Sequence, residues 1–382
     1  MSKKATTPDA FPAAWVEHDR RVRPYVWSHR SVDWAQTILL LVVLVESIRV
    51  RRLHLVEYLL IDKTGMDGFG LWVLYFFVLG AAWTVITLPL KIASFGIDKK
   101  AGLSKQSILS WFGDFAKGML VGGILGTVVL FLLYTCVQLL GSYWWAGAAG
   151  LMAAFSVVLA AIAPVVLVPL FFKLEPLKDE ALKTRLLDLC ARFGVQVAEV
   201  YHLGLGAKTE KGNAAFLGLG KTKRIAIGDT IYEKYSKDEV EAVFAHELGH
   251  QVHNDIWRGI FLGVATLFLS FGIASWITDT WVHPWLYTSM RMPFGLFAFF
   301  LVVSVVQIPL GWLQAAFSRW REREADRFAA EKVGMSVPLA SALEKLTFQN
   351  HALFKPSPFL ETLTYSHPAP WRRISGLRKN LK

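Results

Sequence analysis

Residues 118–172 read GMLVGGILGTVVLFLLYTCVQLLGSYWWAGAAGLMAAFSVVLAAIAPVVLVPLFF, 55 positions without one Asp, Glu, Lys or Arg. A helix crosses the roughly 30 Å apolar layer of a bilayer in about 20 residues. The run is therefore too long for one crossing and suits two, joined by a tight turn. That turn falls at Gly141-Ser142-Tyr143-Trp144-Trp145, whose aromatic rings suit a membrane–water interface. Working outward, three more charge-free runs are long enough to span: Gly68–Leu90 (23 residues), Gly259–Thr278 (20) and Met292–Ser318 (27). Ala35–Val45 is shorter and ends at Glu46 and Arg49, polar groups that reach the interface by snorkelling. About six spans follow. The expected fold is a mostly α, polytopic membrane protein that also carries an α+β domain.

Composition agrees. Of 382 residues, 54% are hydrophobic and 19% charged, against about 25% charged in ordinary soluble domains. This excludes disorder, which needs low hydrophobicity and high charge. Two cysteines, Cys136 and Cys190, make no disulfide framework and lack metal-ligand spacing. The net charge is +11, which orientation explains without a nucleic-acid partner. Positive charge concentrates on the cytosolic side of a membrane protein. The N-terminal tail, the loop Lys91–Lys117, the region Lys173–Arg258 and the basic tail after Ser318 are then inside. The Trp144 turn and Asp279–Arg291 are outside, as is the more basic loop 49–67. The early lysines are not closely followed by an apolar stretch, so the first helix reads as an uncleaved anchor. The division expected is 1–172, a tail and four spans (about 35–50, 69–90, 118–140 and 146–172). Next come 173–258, a cytosolic region, 259–318, two spans, and 319–382, a second cytosolic region.

The chemistry sits at Ala245–His250, which reads AHELGH. His246 and His250 are four residues apart, so on a helix they lie about 40° apart on one face. Two imidazoles so placed grip one zinc ion, with Glu247 beside them as a general base toward water. The helical context is present: Ser236 and Glu239 form a capping box, and Val240, Val243 and Phe244 an apolar stripe. A catalytic zinc needs a third protein ligand. A third histidine at 256 is ruled out, since that residue is Ile256. The candidates are the acids of SRWREREADRFAA (318–330). Glu322 and Asp326 share a helix face, while Glu324 points about 200° away from Glu322. Glu322 is assigned as ligand and Asp326 as the carboxylate that orients a ligating imidazole.

Topology pairs the two motifs independently. His250 lies nine residues before the span beginning at Gly259, and Glu322 four residues after the span ending at Ser318. Both then emerge at one membrane face, within roughly 6–14 Å of it. His253 is expected to turn toward a cleft or solvent. The hairpin 213–227, with strands Asn213–Leu217 and Arg224–Ile227, offers an exposed edge for an extended peptide.

At these residues the chain resembles the integral-membrane gluzincins that include the type I CaaX prenyl endopeptidases and their bacterial relatives. The likeness rests on LPLKIASFGIDKKAGLSKQS (88–107), VPLFFKLEPL (168–177), GNAAFLGLGKTKRIAIGDT (212–230), HELGH (246–250), the Glu322–Asp326 motif and YSHPAPWRR (365–373). The resemblance implies a zinc endopeptidase with one Zn2+ per chain, held by His246, His250 and Glu322, with Glu247 as base. It implies that His367 and Arg373 polarise the scissile carbonyl or hold substrate, and that Asn213 and Ala214 bind substrate backbone. The implied partners are the bilayer and a membrane-associated peptide or protein. A bacterial inner membrane is the expected setting, with the endoplasmic reticulum as the alternative. Strict CaaX processing, a non-catalytic zinc-stabilised binding protein and a transporter are the rival functions. Intact Glu247 argues against the second, and the absence of paired broken helices against the third.

Overall fold

The structure, a computed structural model, describes residues 11–50, 52–197, 199–218 and 223–379. The membrane part comprises α1 (Ala13–Val50), α2 (Arg52–Thr64), α3 (Gly68–Lys100), α4 (Ile108–Leu139), α5 (Trp144–Ile162) and the short α6 (Leu167–Phe171). An α+β segment follows: β1 (Leu174–Pro176), α7 (Glu180–Arg192), β2 (Glu199–Leu203), β3 (Ala214–Leu217), β4 (Arg224–Gly228), α8 (Asp229–Tyr232) and α9 (Lys237–Val252). The chain re-enters the apolar part through α10 (Asp255–Ile277), α11 (His283–Leu286) and α12 (Pro293–Arg327). It ends in α13 (Ser336–Gln349), α14 (Pro358–Thr364) and α15 (Pro370–Lys379).

Five helical stretches among the described residues are long and apolar enough to cross a membrane: 68–100, 108–139, 141–162, 255–286 and 293–332. The sixth expected span is the later part of α1, whose apolar run is shorter. The expected outside loop 49–67 is instead mostly the helix α2. Leu53, Val56 and Leu60 pack against buried Tyr75 and Phe294, and Tyr75 Oη donates to the Leu53 carbonyl at 3.2 Å. The charges lie between these apolar positions and conceal them from a run-length reading. The expected span 146–172 is also shorter than predicted. Its helix stops at Ile162, where Pro164 has no backbone N–H to continue the hydrogen-bond ladder.

Small side chains let the spans approach closely. Ala148 and Ala149 of α5 and Ala274 of α10 are fully buried in one cluster with Trp144, Phe271 and Phe299. A methyl at Gly272 would meet the Trp145 ring at 3.3 Å.

The four strands form one sheet in the order β1-β2-β4-β3. β2 and β4 are parallel and the outer pairs antiparallel, which leaves β3 at an edge. The sheet and helices α7, α9, α13 and α15 enclose one core. α7 turns Leu182, Leu186, Leu189 and Cys190 into it, the spacing of an amphipathic helix. The start of α1 completes this core. Trp15 stacks on Phe354 with ring centroids 4.5 Å apart, its Nε1 donates to Glu344 at 2.7 Å, and Asp19 accepts from the backbone of Phe354 and Lys355. Farther along, Tyr25 Oη donates to Asp98 at 2.8 Å, so α1 runs antiparallel to α3. The beginning of α1 and the α+β domain therefore share one face. That requires an even number of crossings between them, as the later part of α1 with α3, α4 and α5 provides.

Candidate metal centre and peptidase site

The motif helix α9 is built to be rigid. Ser236 Oγ accepts from Glu239 N, and the Glu239 carboxylate accepts from Ser236 N at 2.8 Å, the reciprocal cap expected from sequence. Glu239 also receives Ser341 Oγ at 2.6 Å and Lys345 Nζ at 2.7 Å, tying α9 to α13. Gly249 sets the distance to α12: a Cβ there would lie 3.0 Å from the Ala325 backbone and 3.2 Å from the Phe328 ring. This close approach brings Glu322, one turn before Ala325, up to the two histidines.

Ligand atoms of His246, His250 and Glu322 lie within 4.8 Å of one another. His246 Nε2 is 3.4 Å from Glu322 Oε2, and His250 Nε2 is 3.4 Å from Glu322 Oε1. The other ring nitrogens face carboxylates: His246 Nδ1 is 2.9 Å from Asp326 Oδ1, and His250 Nδ1 is 2.7 Å from Asp255 Oδ2. Each Nδ1–H thus has an acceptor, which turns each Nε2 lone pair toward Glu322. Facing carboxylate oxygens, such lone pairs need a proton or a metal cation between them, and 3.4 Å is long for an N–H···O bond. Ligand arms of about 2.1 Å at tetrahedral angles put donor atoms about 3.4 Å apart, the separation found twice here. Glu322 Oε2 is buried without an aligned hydrogen bond, although His367 Nδ1 is 2.8 Å away and Arg373 Nη1 3.3 Å. The residues fit a zinc-sized cation.

Electrostatics agree. Burial disfavours charge on His246, yet Asp326 and Glu322 outweigh it and push the imidazole up to about 9. His250 is likewise raised: burial opposes charge, but Asp255 and Glu322 prevail. The carboxylates therefore favour positive charge at this spot, which a divalent cation satisfies. Glu247 lies on the same helix and makes no hydrogen bond or ion pair with the described residues, so its carboxylate is available to water. Burial raises its pKa against the pull of the two histidines.

The structure brings together His246, Glu247, His250, Glu322, Asp326, His367 and Arg373. It also shows how Arg373 is held. That guanidinium is buried and held side-on by Asp326, with Nε–Oδ2 at 2.8 Å and Nη2–Oδ1 at 2.7 Å. Burial disfavours its charge, but Asp326 and Glu322 more than compensate and raise its pKa. Its fork is thus committed to the carboxylates of Asp326 and Glu322. His367 is the exposed member, with 59% of its side chain accessible. Glu324 points away, as expected, and pairs with Arg258 at 3.0 Å. His253, the half-buried C-cap of α9, has its ring edge-on to Phe328 with centroids 5.9 Å apart.

Sequence reasoning missed Asp255. It is 2% exposed, begins α10, and is held by Arg258 Nη1 at 3.5 Å. Its backbone carbonyl accepts from Arg321 Nη1 at 2.9 Å. The available signal was an acid five residues after the second motif histidine, at the head of the next helix.

Asn213 and Ala214 lie at the start of the edge strand β3. Asn213 is exposed, and its carbonyl accepts from Gly228 N at 2.9 Å. The preceding Gly212 is clamped by Asn350, which accepts from its N–H at 2.8 Å and donates to its carbonyl at 3.3 Å. Phe216 stacks on Phe244 of α9, with centroids 5.2 Å apart. The edge strand is thus fixed to the motif helix.

A buried two-histidine, one-glutamate cluster at the head of a polytopic helical frame defines an integral-membrane metallopeptidase. The chain belongs to peptidase family M48, whose model matches residues 176–381. A second model, described as CAAX prenyl protease N-terminal, five membrane helices, matches residues 26–173. A CAAX prenyl protease 1 homolog of Oryza sativa is 31% identical over 300 residues, covering 77% of this chain and 70% of that protein. CAAX prenyl protease 1 of Saccharomyces cerevisiae is 26% identical, with 78% and 70% covered. The metalloprotease YhfN of Bacillus subtilis is 25% identical, with 80% and 72% covered. Among solved structures, S. mikatae Ste24p superposes with a TM-score of 0.88 at 22% identity, over 98% of this chain and 92% of that one. That likeness supports the fold.

Proposed function

We propose that this protein is a zinc-dependent endopeptidase that hydrolyses membrane-associated peptides or proteins at the cytosolic face. The observation that carries the proposal is the paired 3.4 Å separation between Glu322 and the two Nε2 atoms, with Glu247 unpaired beside them. His246, His250 and Glu322 hold the metal, while Asp255 and Asp326 fix the imidazole orientation. When bound, zinc supplies Lewis acidity toward a carbonyl and lowers the pKa of water. Glu247 takes the proton from the attacking water and delivers it to the leaving amine. His367, exposed over the cluster, donates a hydrogen bond to the developing oxyanion. Arg373 holds Glu322 and Asp326 in register. The edge of β3 at Asn213 and Ala214 receives an extended substrate by strand addition.

The basic loops, with the start of α1 on the same face as the peptidase domain, support a cytosolic site. A bacterial inner membrane suits the chain, and prenylated CaaX proteins are then not its native substrates. The test is Glu247→Gln. The variant is expected to keep one zinc per chain by elemental analysis and to lose cleavage of a membrane-anchored peptide library. Full, chelator-sensitive activity in that variant would sink the assignment. The same variant traps native substrates for mass spectrometry.

A further inference from the structure

Beside the metal centre, a groove of about 600 Å³ runs between α12 and the α14–α15 pair. Its wall carries Arg319, Arg323 and Arg327, one turn apart on α12, and Arg372 from α15. His246, Glu247, His250 and Glu322 do not line it, and it meets the site only through Asp326 and Arg373. Three carboxylates face it, and two are spent. Asp326 is paired with Arg373. Glu361 accepts from Ala369 N at 3.0 Å and pairs with Arg372 at 3.3 Å. Glu331 is exposed. Arg319 Nη1 donates to the Tyr365 carbonyl at 2.7 Å and closes one end. Arg323 and Arg327 are exposed and make no hydrogen bond or ion pair with any described residue. Net positive charge is thus left unspent in a concave site.

Its level in the membrane identifies the ligand. The apolar run of α12 ends at Ser318. At 1.5 Å per residue, Arg319, Arg323 and Arg327 stand about 1.5, 7.5 and 13.5 Å beyond it. The headgroup layer occupies about 5–7 Å on each side of the hydrocarbon, so Arg323 stands at the level of the lipid phosphates, and Arg327, whose long side chain leans toward the helix N-terminus, reaches back to them from the aqueous side. Guanidinium forks match phosphate oxygens two at a time, and the cytosolic leaflet carries the anionic lipids. We infer that this groove binds the phosphate of an anionic lipid headgroup. Occupancy places that lipid against the outer side of the Asp326–Arg373 pair.

The test is binding, so it stands or falls separately from the peptidase reading. Purified protein in detergent is titrated with dihexanoyl-phosphatidylglycerol or dihexanoyl-phosphatidylcholine and followed by calorimetry. One phosphatidylglycerol per chain is expected, at least about tenfold tighter than phosphatidylcholine. The double variant Arg323→Gln, Arg327→Gln is expected to weaken it about 30-fold, the equivalent of about 1 kcal/mol for each arginine. Its melting without lipid should match the parent, and the double Lys variant should recover most of the binding. Equal affinity for both lipids, or unchanged binding in the Gln variant, would overturn the inference. So would glycerol phosphate binding as tightly as the lipid, which would make the groove a free-anion site. A peptide with a free C-terminal carboxylate binding there in preference to the lipid would make it a substrate pocket and equally overturn it.

Discussion

Replacing Asp255 by Ala tests the metal centre through a residue that touches neither metal nor substrate. The Asp255 carboxylate is 2.7 Å from His250 Nδ1 and almost fully buried. Without it, Nδ1–H loses its acceptor in a dry setting, the ring is free to turn, and Nε2 becomes less basic. A hydrogen bond to a charged partner contributes about 1.5–3 kcal/mol, which corresponds to about 10–150-fold in an equilibrium constant. Losses of about 10–100-fold in metal affinity are typical for partners of this kind. Asp255→Ala should therefore weaken zinc binding by about 10–100-fold, measured by competition with a fluorescent chelator. Asp255→Asn, whose carbonyl still accepts from Nδ1–H, should fall between variant and parent. Glu17→Gln is the control, since its pairing with Arg20 is exposed and shares no partner with Asp255 or the imidazoles. It should stay within about threefold of the parent. Parental zinc affinity in Asp255→Ala, with the fold intact, would refute the reasoning that Asp255 orients His250.

Gly249→Ala is expected to lower both stability and zinc occupancy, because the added methyl meets backbone 3.0 Å away and pushes α12 from α9. Overpacking of this kind costs about 1–3 kcal/mol, and thermal melting with parallel zinc analysis checks it. Glu239→Gln should cost about 1–2 kcal/mol at neutral pH through the lost cap and the Lys345 pair. Burial opposes the Glu239 charge, but Lys345, Ser341 and the Ser236 backbone prevail and hold its pKa below the ordinary 4.5. Its contribution is thus fully present above about 4.5 and lost as pH falls through the lower folded value. Melting curves of parent and variant should converge on acidification, and a gap that widens would contradict this. Trp15→Ala removes a buried ring stacked on Phe354 and should cost about 3–5 kcal/mol. Limited proteolysis should then cut near the start of α1 well before it does in the parent.

The spans were legible because lipid tolerates few charges, so charge-free runs mark them directly. The His246, His250 and Glu322 cluster was legible because two of its members share one helix, and the third follows the span that pairs antiparallel with the one after the histidines. Asp326 followed from helical spacing. α2 escaped because its apolar positions lie among Arg51, Arg52, His54, Glu57 and Asp62, and only packing against Tyr75 and Phe294 distinguishes it. Asp255 escaped because orientation by a carboxylate leaves no spacing rule when the partner sits on the next helix. Arg373 was found by resemblance, yet its commitment to Asp326 is a contact across 47 residues of sequence. A pattern shows which residues are chemically able, whereas their division of labour depends on who already holds them.

The stacking of Trp15 on Phe354 also bears on how the protein is made. In this chain an inverted α1 would strand Trp15 and Asp19 on the far side of the bilayer. The peptidase domain would then lack a core side chain, and the Phe354 and Lys355 amides their acceptor. Insertion of α1 in the observed sense therefore also completes the core of the peptidase domain.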